Sequence, residues 1–513
     1  MGKRAIIFTA LILILFASCQ AKSQAPVPSP VPAVSVTEEV VPDEGVTVRP
    51  TDVNGLSETD YNRYTINLDV NPSTGVVKGS MEVIFYNKSD DVMDTICFNV
   101  PFNAFAAEAS YIPYFSDFKS KIFTGDREYC SFDISSVLYN DNNAGFDVLD
   151  TVLNVSTDGL EPGAYAEISI QFEAYVPYMN HRTGANKNAM WFGAFLPYAA
   201  VYEDGAFRTQ PYYPAGDPFY SESANYSVSI TTPKNYNIVG TGTASVREDE
   251  SSKTTTLTAL MVRDFTFAVI DRSYKAISLT TQNGVEINMY YRSNLSVTDT
   301  LIKQAENAVN FYENYVGGYP YGKIDIVETG LFVSGGMEFS QVIFMDGDYM
   351  ANPESAKTMI HEIGQQWFYN IVGSDQINSA WMDEGLVALL QEKVTYPDSE
   401  QFAKYFESEY TRLGQSIEAL SSLKLKDGIS GYKDWTNYYN IQYTKGKLML
   451  YSLNMKMGEE KFNQFIKEYY SAYSFKIATE EDFIKVAEDV YGESLGAFFN
   501  RWLFSEKLPP LYG

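Results

Sequence analysis

Cysteine and histidine are scarce in this chain of 513 residues, with three cysteines (Cys19, Cys97, Cys130) and two histidines (His181, His361). So few cysteines exclude a disulfide-built scaffold. Cys97 and Cys130 are left either to pair in an oxidising compartment or to stand as two buried thiols. Two histidines exclude an imidazole-rich metal site. Positive charge is short as well: 38 Lys and Arg face 65 Asp and Glu, a formal net charge of -27. A surface that acidic repels phosphate backbones, so nucleic acid is not an expected partner. After the first twenty residues no apolar run is long enough to span a bilayer, and no internal repeat is visible.

What is present is apolar and aromatic. The chain is 45% hydrophobic, with 39 tyrosines and 32 phenylalanines, which supply large buried area and favour strands. Its length exceeds the roughly 250–300 residues that one core supports, so two large domains are expected.

The first residues read as an export signal. Lys3 and Arg4 precede an apolar stretch from Ala5 to Phe16, and Leu15-Phe16-Ala17-Ser18-Cys19 follows. The stretch is too short to span a bilayer comfortably. Small residues just before a cysteine resemble the bacterial lipobox, which makes Cys19 the candidate lipidation site. Prolines 26, 28, 30, 32, 42 and 50 then mark an extended tether.

From about residue 60 the pattern has a period of two. Tyr64, Ile66, Leu68 and Val70 alternate with polar residues, Asn71 to Gly75 forms a turn, and Met81, Val83 and Phe85 begin a second strand. Tyr226, Val228 and Ile230 repeat the pattern, so a β sandwich or saddle is expected. After about residue 274 two strands (286–291 and 323–327) give way to helices. Leu301, Ala305, Ala308 and Tyr312 keep helical spacing until Gly317-Gly318-Tyr319-Pro320 stops them.

The chemistry-bearing stretch is predicted as a helix from Asn352 to Gly373, with Asn352 as N-cap and Pro353 at its first position. It carries His361-Glu362-Ile363-Gly364-Gln365, with 361 and 365 on one face. A zinc-peptidase helix has histidines at both positions and a Glu general base after the first. Eighteen residues separate Gln365 from Glu384, which stands in Trp381-Met382-Asp383-Glu384-Gly385 on a second predicted helix. Gly335-Gly336-Met337-Glu338-Phe339 and the strand-like run 341–344 lie upstream, and Tyr443-Thr444-Lys445-Gly446 lies downstream.

This set resembles the aminopeptidase N family of zinc peptidases (peptidase family M1, gluzincins). Asn99 to Phe105 and Gly216-Asp217-Pro218-Phe219 resemble its N-terminal saddle, and 495–511 the close of its catalytic domain, so the family's C-terminal helical domain is expected to be absent. The resemblance implies a β-rich saddle domain over 56–272 and a thermolysin-like, mainly helical peptidase domain over 273–513, after a signal over 1–19 and a linker over 20–55. It implies zinc on His361, Glu384 and position 365, with Glu362 as base and Tyr443 as oxyanion donor. Glu338 then recognises a free amino terminus, and Gly335, Gly336 and Met337 lie beside the substrate backbone.

Three positions depart from the family pattern. Phe339 and Asp383 stand where Asn is usual, and Gln365 stands where the second histidine belongs. An amide is a weaker zinc donor than imidazole, so zinc binding is expected to be weakened or lost, and His181 is no evident stand-in. The implied function is a lipid-anchored, extracytoplasmic aminopeptidase acting on peptide N-termini. The alternative is an inactive peptide-binding relative.

Overall fold

The fold is described by a computed structural model, which covers residues 61–292, 298–332, 334–352, 355–417 and 423–512. Cys19, the tether and Pro353 lie outside them. The expected alternation is present: Tyr64, Ile66, Leu68 and Val70 are buried along Arg63–Asn71, and their polar neighbours are exposed. This strand is central to an eight-stranded sheet. It runs antiparallel to Val76–Tyr86 and parallel to Ala224–Pro233, where Tyr64 stacks on Tyr226 at 4.6 Å. The turn at 71–75 closes on Gly75, whose φ of 74° suits a residue without Cβ.

Two four-stranded sheets pack with this one into a shared apolar core, in which Phe132, Phe172 and Phe195 meet Phe192 and Phe267. Cys97 and Cys130 are both free thiols. Cys130 is buried against the Phe102 carbonyl, and Cys97 is half-buried beside Asn154.

A five-stranded sheet follows, in the order Lys275–Thr280, Glu286–Tyr291, Lys323–Thr329, Val342–Asp346, Gly336–Met337. Its three inner strands are parallel, and the two-residue strand at its edge is antiparallel to Val342–Asp346. Helices then dominate. Thr298–Tyr315 buries Leu301, Ala305, Ala308 and Tyr312 on one face, and it packs on the helix that carries His361. The chain is thus a β-rich region followed by a mainly helical one. Among the described residues no helix is long and apolar enough to cross a membrane.

Two expected helices differ. The His361 helix spans Ser355–Gly364 and stops well before Gly373. Tertiary bonds draw the following residues out of helical geometry. Gln366 and Asn370 donate to the carbonyl of Glu338, and Trp367 donates to Gly317. Gln365 keeps a helical bond, to His361 O at 3.1 Å, so it still sits one turn from His361. The second helix begins at Glu384, after a tight 3-10 turn over Ala380–Met382 that buries Trp381.

Candidate active site

The helices Ser355–Gly364 and Glu384–Thr395 bring His361 and Glu384 together, with His361 Nε2 3.0 Å from Glu384 Oε2. Gln365 Nε2 lies 2.8 Å from Asp383 Oδ1 and 3.3 Å from Glu384 Oε2. Gln376 donates to the other Asp383 oxygen. All these side chains are buried.

The helix Glu384–Thr395 touches the start of the helix Gly446–Met457 through Gly385 and Gly446. A Cβ on either would lie 3.0 Å from the other's Cα. That close approach sets Glu384 beside a seven-residue π-helix, Tyr439–Lys445. Such turns mark functional sites more often than ordinary helix does. Tyr443 on it stacks on His361 at 5.4 Å and hydrogen-bonds Glu384, and Tyr438 just before it donates to Glu384 Oε1 at 3.3 Å. Burial raises the Tyr443 phenol well above its ordinary value, so it stays a donor.

The strand Gly336–Met337 forms the opposite wall. Gly335 has a φ of 83°, which favours glycine, and a Cβ on Gly336 would lie 2.5 Å from Glu362 Oε1, so that carboxyl packs against the strand here. Burial, offset in part by His361 and reinforced by Glu384, pushes the Glu362 carboxyl up to about 8. Glu338 ends this wall. It is buried, and its Oε1 has no hydrogen-bond partner among the described residues. Burial first, then the charges of Asp217, Glu362, Asp383 and Glu384, hold its carboxyl well above the usual range.

Three residues that spacing alone did not reveal complete the site. Asp217 hydrogen-bonds the Glu384 carboxyl and pairs with the buried Arg182 at 2.5 Å. Arg182 also touches Met337 Sδ at 3.1 Å, so it ties the β-rich region to the strand Gly336–Met337. Tyr438 is the third. Asp217 stands in a motif read only as a landmark of the saddle, and Arg182 carries no local signal at all. Phe339 is not at the site; it is buried against Phe344 and Gly193. His181 is buried between Phe105 and Tyr212 in the β-rich region, uncharged because burial lowers its pKa.

The segment 301–502 matches the peptidase family M1 domain. Endoplasmic reticulum aminopeptidase 2 of Bos taurus is 25% identical over 245 residues, 44% of this chain and 25% of the relative. Glutamyl aminopeptidase of Rattus norvegicus is 22% identical over 301 residues, 55% of this chain and 32% of the relative. The chain therefore spans a quarter to a third of the length of these curated relatives. An M1 zinc metallopeptidase from Deinococcus radiodurans superimposes with a TM-score of 0.65 at 15% identity, over 88% of this chain and 96% of that one. A mutant of it bound to a Tyr-Ser-Ala substrate gives 0.64 at 15% identity, with the same coverage. This likeness establishes the fold, a β-rich region followed by a mainly helical one.

Zinc, which those M1 structures name, asks for three converging ligands. In this chain His361 and Glu384 converge, but Gln365 turns its NH2 group, a donor, towards the carboxyl groups. Among the described residues no three His, Cys, Asp or Glu side chains form a metal-binding group. The donor set does not fit zinc as it stands.

Proposed function

We propose that this chain binds the free amino terminus of a peptide in an aminopeptidase-type M1 cleft, and that Gln365 leaves hydrolysis of the N-terminal residue weak. The observation that carries this reading is Glu338. Its Oε1 is buried and without a donor at the end of the strand Gly336–Met337. A desolvated carboxylate that lacks a partner favours an ammonium group, which every uncapped peptide carries on its first residue. The peptide backbone lies along Gly335, Gly336 and Met337, the strand that leads to Glu338. Tyr443 presents its phenol towards the first carbonyl, and Glu362 lies beside the same wall. The aminopeptidase relatives and the peptide-bound neighbour support this substrate class.

The test compares a free tripeptide with its N-acetylated form by calorimetry. The free peptide binds the full-length protein, and the acetylated one binds far more weakly. Equal affinity overturns the reading. A second reading, zinc-dependent hydrolysis at full rate, is favoured by the retention of His361, Glu362, Glu384 and Tyr443 in one cluster. Its test is turnover of an aminoacyl amide reporter with and without added zinc.

The expected location is the outer face of a membrane, held by a lipid on Cys19. Cys19→Ser then releases the protein or leaves it unprocessed, and wild type wholly in the soluble fraction refutes the anchor.

A further inference from the structure

Positions 365 and 383 both depart from the family pattern, and they face each other. An amide can ligate a cation only through its oxygen, while its NH2 group can only donate. An ionised carboxylate oxygen only accepts. Burial raises the Asp383 pKa, and the hydrogen bonds from Gln365 and Gln376 work against it, favouring the ionised form. The Gln365 atom 2.8 Å from Asp383 Oδ1 and 3.3 Å from Glu384 Oε2 is the nitrogen. Turning the amide over would set its oxygen against two carboxylates at those distances. Asp383 is itself held, because Gln376 donates to its Oδ2 and the side chain is fully enclosed at 1% exposure.

We infer that Asp383 is a positioning residue that locks the Gln365 amide with its NH2 group inward, so that positions 365 and 383 together set the cation affinity of the cleft. The Gln365 nitrogen occupies the corner that a third ligand would take, beside Glu384 and one helical turn from His361. It closes a hydrogen-bonded ring in place of a ligand set. The same carboxylate has the opposite effect on an imidazole. A histidine at position 365 presents one nitrogen to a metal and donates its other N–H to Asp383, the outer-sphere contact that orients a metal-binding histidine.

The inference therefore predicts a change of sign. Zinc affinity is measured by competition with a chromophoric chelator on full-length wild type, D383A, Q365H and the double variant. With Gln365 in place, Asp383→Ala raises affinity about tenfold or more, because Asp383 no longer holds the NH2 group inward and the amide oxygen can turn towards the metal. In the Gln365→His background, the same change leaves the imidazole N–H without its acceptor and lowers affinity by about 10–100-fold, the usual cost of losing such a partner. A purely structural role for Asp383 moves both backgrounds in one direction. Loss of affinity in both, or no change in the Gln365 background, overturns the proposal. If Asp383→Ala fails to fold by circular dichroism, Asp383→Leu removes the acceptor while filling the space and carries the same signs. The inference rests on His361 and Glu384 marking the metal position, not on peptide binding. The calorimetry with free and acetylated peptide thus fails or succeeds independently of it.

Discussion

Glu338→Gln separates function from stability at one buried atom. In the ligand-free protein, Glu338 Oε1 is enclosed without a donor and faces the charges of Asp217, Glu362, Asp383 and Glu384. A buried polar group left unsatisfied costs about 1–3 kcal/mol, and more when charged. Glutamine has the same shape and cannot ionise, so the variant loses only the charged part of that cost and should gain stability, by no more than about 1–3 kcal/mol, in urea titrations at neutral pH. The raised folded-state pKa sets the pH trend. A carboxyl protonated more readily in the fold contributes stability below its unfolded pKa, and that contribution is lost as pH rises through the folded value. The advantage of Glu338→Gln therefore widens from acid to neutral pH. Binding goes the other way. A hydrogen bond to a charged partner contributes about 1.5–3 kcal/mol, or about 10–150-fold in affinity for a free amino terminus. Calorimetry with free and acetylated tripeptide reads the second effect, and urea titration reads the first. A variant that is less stable than wild type, or that binds the free peptide equally well, refutes the role given to Glu338.

Gln365→His should raise zinc content towards one per chain and raise turnover of an aminoacyl amide by orders of magnitude; adding Glu362→Gln should keep the zinc, measured by atomic absorption, and abolish turnover. Lys445 is buried and bonded to Ser505 O, and burial lowers its amine to about 8. An ammonium disfavoured in the fold makes stability rise with pH between about 8 and 10.5, so Lys445→Met should flatten that rise in urea titrations at pH 7 and 10. Gly385→Ala puts a methyl group 3.0 Å from the Gly446 backbone, so it should cost about 1–3 kcal/mol and weaken peptide binding as well, both absent if the contact is loose.

Local patterns were legible where one element carries the whole signal. Alternation at Tyr64 to Val70 marks a strand with one buried face, and the spacing of Leu301, Ala305, Ala308 and Tyr312 marks a helix with one buried stripe. The eighteen-residue interval between Gln365 and Glu384 reflects two helix ends that meet. What could not be read depends on distant partners. The early end of the His361 helix is imposed by Gln366 and Asn370 reaching the Glu338 carbonyl, which no helix propensity encodes. Asp217 and Arg182 enter the site from the β-rich region, and nothing in their own neighbours announces Glu384 or Met337. The orientation of the Gln365 amide follows from Asp383, a residue that by itself reads as a tolerable change.

The π-helix at Tyr439–Lys445 makes the site sensitive to chain length as much as to side-chain identity. Both Tyr438 and Tyr443 reach Glu384, though they are five residues apart. In an ordinary α-helix five residues turn about 500°, which leaves such a pair about 140° apart around the axis. The wider turn, bonded five residues on, brings them to one side. Conservative replacements within Asn440–Gln442 leave that count intact. Insertion of a single residue there sets the two tyrosines six apart, about 120° from each other around an α-helix, and turns one phenol away from the carboxylate, with every side chain named at the site still present in the chain.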